Sequence, residues 1–150
     1  MDNTVGPFDV STLFPLQDQI SEMAPLEPIT ARDVPKLFYR RYSCTKNVHL
    51  VLAHDPSAHS AYLRAFANFL AANEFANVYA LDLREHGPNP KRRGDIDYID
   101  RLEDDIADFI ARLKKKSPEG EKIILGGRYS GCGLALRVGG GKHGHMVQGV

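Results

Sequence analysis

Residues 122–137, KIILGGRYSGCGLALR, decide how the chain is read. Lys122-Ile123-Ile124-Leu125 is a short apolar run rich in β-branched side chains. It is too short for a helix and suits a strand covered on both faces. Gly126, Gly127, Gly131 and Gly133 then surround Arg128, Tyr129 and Ser130, and Leu134-Ala135-Leu136-Arg137 returns to good helix formers. The spacing predicts a strand, a tight glycine turn and a helix. Such a turn lifts its apical residue above the C-terminal edge of a sheet, beside a helix N-terminus that favours negative charge. In the G-x-S-x-G form of this turn the apex is a serine nucleophile. Here the apex between Gly127 and Gly131 is Tyr129.

Working outward, Val48-His49-Leu50-Val51-Leu52-Ala53 reads as a central strand that runs into His54-Asp55-Pro56-Ser57. A helix is predicted over residues 58–72, with Leu63, Phe66, Ala67 and Leu70 forming one buried face. Residues 77–83 form the next strand, and Gly87, Pro88, Asn89 and Pro90 mark residues 84–94 as loop. Residues 95–116 carry the clearest helix, with Ile99, Leu102, Ile106, Phe109, Ile110 and Leu113 on one side and Asp100, Glu103, Asp104 and Asp108 largely on the other. Its acids come early and its lysines late, as the helix dipole favours. Residues 117–120 stop it. Towards the N-terminus, residues 26–30 and 36–42 read as an antiparallel hairpin bending at residues 32–35. Residues 1–23 form a lead-in with a short helix near 16–23, and the domain proper runs over 24–150. After Arg137, Gly139-Gly140-Gly141 breaks the helix, and residues 146–150 begin another strand. This alternation predicts an α/β protein, a three-layer sandwich around a mostly parallel sheet. The Val48 and Lys122 strands lie side by side at its centre.

The bulk numbers fit one soluble domain, with 43% hydrophobic and 25% charged residues. Nineteen basic residues balance nineteen acidic ones, which argues against a nucleic-acid partner. Lys91-Arg92-Arg93 and Lys114-Lys115-Lys116 read as a solvated loop and a helix end. Cys44 and Cys132 are far apart and suggest no disulfide framework, and Cys132 reads as a small residue in a glycine site. No signal-peptide pattern and no bilayer-spanning apolar run are read, so the expected address is the cytoplasm, with no transmembrane segment. His54, His59 and His86, and the pair His143 and His145, read as loop and tail residues rather than zinc ligands. Gly131-Cys132-Gly133 followed by Leu136 departs from the dinucleotide fingerprint, and no P-loop lysine follows, so no cofactor is expected.

Taken in order, these stretches resemble α/β-hydrolases of the lysophospholipase or serine-aminopeptidase type. Arg32-Asp33 with Tyr39-Arg40-Arg41-Tyr42 resembles the family's opening hairpin. Val51-Leu52-Ala53-His54-Asp55 resembles its strand and HG turn, and Asp82-Leu83-Arg84-Glu85-His86-Gly87 its D-x-R-G-H-G loop. Gly94 to Tyr98 and Asp104-Asp105 match the helix that follows, and Gly127 to Arg137 resembles G-H-S-S-G-G-G-x-A-L-R. The resemblance implies the N-terminal half of an α/β-hydrolase fold. It also implies hydrolysis of a small-molecule carboxylic ester, of lipid type, by acyl transfer through the elbow residue. Backbone N–H groups near His54, Asp55 and Ser130 would be the oxyanion donors.

Three departures bear on that chemistry. Asp55 replaces the glycine of the HG turn and sets a carboxylate beside the oxyanion site, opposing the stabilisation it provides. Glu85 replaces the first glycine of the D-x-R-G-H-G loop. Tyr129 takes the nucleophile position, its phenol oxygen a ring's length beyond that of a serine. Ser130, the neighbouring hydroxyl, is flanked by Arg128 and Cys132 instead of glycines. The acid and histidine of a triad follow the nucleophile in this fold, and residues 138–150 offer His143 and His145 but no acid. The chain is therefore expected to be impaired or inactive as a hydrolase. The alternative is a non-catalytic binding module or a degenerate, truncated product. A half-built sheet would leave an edge open to self-association.

Overall fold

The computed structural model describes residues 23–32, 36–88, 96–116 and 120–150. The lead-in up to residue 22, the hairpin bend at 33–35, the loop at 89–95 and the helix stop at 117–119 lie outside the described residues. In chain order the elements are β1 (Leu26–Thr30), β2 (Lys36–Tyr42), β3 (Val48–Ala53), α1 (Arg64–Ala72), β4 (Asn77–Asp82), α2 (Arg101–Lys116), β5 (Lys122–Gly127) and α3 (Ser130–Gly140). They build one five-stranded sheet in the order β1-β2-β4-β3-β5.

The sheet is mixed. β3 pairs in parallel with β4 and with β5, running Val48↔Lys122 to Ala53↔Gly127 against the latter. β1 and β2 form the expected antiparallel hairpin, and β2 joins β4 antiparallel. Pro28, which has no N–H to donate, is tolerated because β1 is an outer strand among those described. On the outer side of β5, Gln148 N–H donates to the Ile123 carbonyl (2.8 Å) and Leu125 N–H to the Gly149 carbonyl (3.0 Å). The strand expected near residues 146–150 is thus present as a parallel bridge between Ile124 and Gly149.

Two cores flank the sheet, giving three layers. On one face Ile106, Phe109, Ile110 and Leu113 of α2, with Ala135 and Val138 of α3, pack on Val51, Tyr79, Leu81, Ile123 and Leu125. On the other, Leu63, Ala67 and Ala71 pack on Tyr42, Leu52, Val78 and Ala80. The predicted helix over 58–72 begins instead as a 3-10 turn at Ser60–Leu63. Its predicted buried face holds at Leu63, Ala67 and the partly buried Leu70, but Phe66 is exposed. Close approach of helix to sheet selects the small side chains.

α2 also differs from expectation. It starts at Arg101, and Ile99 before it is exposed. Its acids are largely buried: Glu103, Asp104 and Asp105 all face partners from distant segments. Asp104 accepts hydrogen bonds from Tyr98 Oη (2.8 Å) and His143 Nε2 (2.7 Å) and pairs with Lys142 (2.8 Å). Arg32 grips Asp108 through its backbone N–H (3.0 Å) and guanidinium (2.6 Å), tying the end of β1 to α2. Arg137 joins Glu103 (2.6 Å) and Asp100 (3.0 Å) across the α2–α3 seam.

Burial alone would raise the Asp104 carboxyl, but the contacts from Lys142, His143 and Tyr98 outweigh it and hold the group well below its usual 3.8. A carboxylate lowered in the folded state stabilises above its unfolded pKa, and that contribution is lost as pH falls through the folded one. Urea melts from pH 6 to pH 2 should therefore show an acid loss. Asp104→Asn should remove on the order of 1–2 kcal/mol of that loss. An unchanged acid slope in the variant would contradict the assignment.

α3 runs through Gly139 and Gly140, further than the triple glycine predicts. A side chain at Gly139 would overlap Val150, so glycine there admits the chain end against the helix.

Candidate active site

The strand order reverses at β3. The chain leaves β3 for α1 on one face, and leaves the adjacent β5 for α3 on the other. Loops that part in opposite directions open a crevice beyond the C-terminal ends of parallel strands, the usual ligand position in such sheets. An open cleft of about 440 Å³ lies there, lined by Asp55, Pro56, Ser57, Ala58 and Tyr62 from the β3 side and Arg128, Tyr129 and Ser130 from the β5 side.

Tyr129 sits at the predicted apex. Its backbone has φ 51° and ψ −118°, and its side chain is 72% exposed. A non-glycine residue at such a φ is strained, and strain of this kind costs about 1–3 kcal/mol unless the surroundings impose it. The surroundings here are two glycines. A Cβ on Gly127 would overlap the backbone of Gly131 and Cys132, and a Cβ on Gly131 would overlap the Ala53 carbonyl. Arg128 N–H donates to that same carbonyl (3.1 Å), docking the elbow on the end of β3. The Arg128 guanidinium lies over the Tyr129 ring at 4.9 Å from its centroid. Cys132 Sγ donates to the Gly127 carbonyl at 2.9 Å, the residue itself is exposed, and both cysteines are free.

Ser130 is the first residue of α3 and is exposed. Gly131 and Cys132 N–H already donate to the Arg128 and Tyr129 carbonyls (2.9 and 3.0 Å), so the donor this turn offers an anion in the cleft is the Ser130 N–H. Among the described residues no imidazole hydrogen-bonds Tyr129 or Ser130. His54 is brought close to the elbow but is buried. It donates from Nδ1 to the Asp55 carbonyl (2.6 Å) and accepts the Leu83 N–H at Nε2 (3.0 Å). Both ring nitrogens are used, and burial lowers its pKa, so it stays neutral as a latch between the ends of β3 and β4. Asp55 does line the cleft. Its carboxylate accepts Ser57 Oγ (2.7 Å) and N–H (3.2 Å), and these bonds lower its pKa and keep it charged.

The loop after β4 supports this edge. Asp82 accepts the Ser60 N–H (2.6 Å), and a side chain at Gly87 (φ 79°) would overlap the Asp82 carboxylate. Arg84 reaches Asp105 of α2 through two bonds of 2.7 and 2.6 Å, both side chains buried. This fork keeps the Arg84 pKa raised. His86 contacts the Arg84 and Pro56 carbonyls (both 2.8 Å), and its ring lies edge-on to His54 at 5.0 Å. Among the described residues no group of three or more His, Cys, Asp or Glu converges as a metal site. Glu85, at the expected glycine position, has φ 60°. Glu85→Gly should relieve left-handed strain of about 1–2 kcal/mol, less the entropy gained by an unfolded glycine. The net result should raise Tm by about 2 °C. A fall in Tm on scanning calorimetry would show that Glu85's contacts outweigh the strain.

Sequence reading singled out Tyr129, Ser130, His54 and Asp55, and the fold gathers their backbone at one edge. It missed Tyr62, Ser57 and Arg128 as lining of the cleft, and Arg84–Asp105 as the clamp beneath it. The acid pair in the helix was visible, but the arginine opposite it was not marked as its partner.

Among solved structures the chain is similar to α/β hydrolase GrgF from Penicillium sp. sh18 (18% identity, TM-score 0.70), over 82% of this chain and 43% of that one. It is similar to a soluble variant of monoglyceride lipase from Saccharomyces cerevisiae (18%, TM-score 0.70), over 86% and 44%. It is also similar to the Pyrococcus furiosus esterase PF2001 (22%, TM-score 0.65), over 80% and 45%. The chain thus spans less than half the length of each, and at these identities the likeness is one of fold. A search of curated proteins finds no match. No described helix is long and apolar enough to cross a membrane. The family model for serine aminopeptidase S33, Hydrolase_4, matches residues 45–150, the stretch that holds β3, the cleft and the elbow, and the chain belongs to this α/β-hydrolase family.

Proposed function

We propose that this chain is an α/β-hydrolase-like protein of the ester- and lipid-hydrolase type whose elbow no longer supports acyl transfer. One observation carries the reading: the strained, exposed apex that a serine would occupy is Tyr129. A phenol oxygen stands a ring's length further out than a serine oxygen. Misplacement of about 1 Å can already cost about 100-fold. Two further observations support it. The charged Asp55 carboxylate lines the cleft where an oxyanion would need donors. Within residues 138–150, His143 and His145 are held by Asp104 and the Lys142 carbonyl (2.7 and 3.0 Å) and are not bonded to the elbow. Backbone N–H groups near Asp55 and Ser130 remain able to hold an anionic or carbonyl oxygen. The cleft therefore suits binding a small ester or lipid better than cleaving it.

The purified chain should give no turnover of p-nitrophenyl acetate or butyrate above buffer, and Tyr129→Ser alone should not restore it. Robust turnover would overturn the proposal. A binding module is the second reading, favoured by the open cleft with its Tyr62, Tyr129 and Arg128 lining. Self-association through the outer edge of β5 belongs to the same reading, because the described pairing there is a single bridge. Sedimentation velocity showing only monomer at all concentrations would remove that element. The free thiols of Cys44 and Cys132 support a reducing compartment, the cytoplasm, and immunolocalisation to an oxidising one would contradict this.

A further inference from the structure

Two opposite charges face the elbow cleft from its two walls and are not joined. Asp55 stands on the β3 wall and Arg128 on the β5 wall, with no hydrogen bond or ion pair between them. They are still near enough to interact. The Ser57 hydrogen bond is the larger cause, but the Arg128 charge also helps to hold the Asp55 carboxyl below its ordinary value. Both bonds from Ser57, at 2.7 and 3.2 Å, fall on Asp55 Oδ1, so Oδ2 accepts no bond from another described residue. The Arg128 guanidinium makes no hydrogen bond among the described residues and lies instead over the Tyr129 ring, 4.9 Å from its centroid. One acceptor and one donor fork are thus held apart across a cleft of about 440 Å³, a volume that suits a small ligand.

The rest of the lining is apolar or aromatic. Pro56 and Ala58 lie beside Asp55, and the Tyr62 ring stands against the His59 ring, edge to face at 5.0 Å. A ligand that displaces water from this cleft must replace the solvation of both charges. An anion would meet Arg128 favourably and be repelled by Asp55. A cation would meet the reverse. A neutral ester would leave both charges without a partner. Only a ligand that carries both signs matches both walls, and complementary charge is what selects one ligand over others of similar shape.

We propose that the elbow cleft holds a small zwitterion bearing an apolar group, its carboxylate or phosphate on Arg128, its ammonium on Asp55 and its apolar group along Tyr62. This rests on the reading of the cleft as a binding site and names the chemistry of the ligand. Such a zwitterion is either an amino acid with a large side chain or a phosphocholine head group. Isothermal titration calorimetry with L-phenylalanine and with hexylphosphocholine separates the two sources. Each probe is compared with its singly charged counterparts: phenylpropionate and phenethylamine for the first, hexyl phosphate and hexyltrimethylammonium for the second. At least one zwitterion should bind at least about tenfold tighter than both of its counterparts, the worth of one charge-assisted bond. Asp55→Asn, which keeps an oxygen for Ser57, should erase the advantage over the anion and leave that over the cation. Arg128→Gln, which keeps the backbone bond to Ala53, should do the opposite. Circular dichroism checks that both variants fold. Counterparts that bind as well as the zwitterions in the wild type would overturn the proposal, as would a variant that loses both advantages together. Tighter binding of the neutral N-acetyl-L-phenylalanine methyl ester would overturn the zwitterion and leave the binding site standing. No binding of any of these probes in the millimolar range would overturn both.

Discussion

Arg84→Ala should lower the unfolding free energy by about 3–5 kcal/mol, a large share of a domain's stability. Arg84 and Asp105 are only 4% and 6% exposed at the side chain, and the guanidinium meets the carboxylate through two short bonds. Removing the arginine leaves the buried Asp105 carboxylate beside Ile106 and Phe109, with Arg101 still acting on it. The intact pair is a different matter, since its attraction is set against the desolvation of two charges. Arg84→Met/Asp105→Leu should therefore recover most of the loss. Chemical denaturation of the three proteins reads both effects. A cost below about 1 kcal/mol for Arg84→Ala would mean that the pair is solvated.

Gly131→Ala should cost about 2–3 kcal/mol, unusually much for a single added methyl group, because the overlap is with backbone. The Cβ would enter the Ala53 carbonyl, which also accepts Arg128 N–H. Relief requires moving α3 away from the end of β3, which opens the elbow. Gly133→Ala is the control: nothing lies within 4 Å of a Cβ there, and helix propensity favours alanine. The two variants should shift the denaturation midpoint in opposite directions. Equal tolerance of both would mean that the elbow is not docked on β3.

Much of this architecture was legible in the sequence. β3, β4 and β5 announced themselves because strands covered on both faces must be apolar nearly throughout. The elbow announced itself because two close backbone approaches, at Gly127 and Gly131, demand glycine at a fixed spacing. In α1 only Phe66 misled: its ring points away, while its neighbour Ala67 lies on the sheet. The acid side of α2 misled for another reason. Asp104, Asp105 and Asp108 look solvated until Arg32, Arg84 and Lys142 arrive from segments far away in the chain. Periodicity reports how polar a helix face is, not whether distant charges will meet it. At the cleft, the glycines marked the position of the apex, and Tyr129 stands there where the resemblance expects serine. Tyr62, which reaches the cleft from the 3-10 turn before α1, left no local signal.

The proposed loss of acyl transfer requires that Tyr129, at the apex of the elbow, not act as the nucleophile. Intact-mass spectrometry after incubation with a fluorophosphonate probe tests it most directly, because the probe bonds covalently to any activated hydroxyl. The expected result is an unmodified mass for the wild type and for Tyr129→Phe alike. A single adduct that maps to Tyr129 and disappears in Tyr129→Phe, or one that disappears in Ser130→Ala, would contradict it.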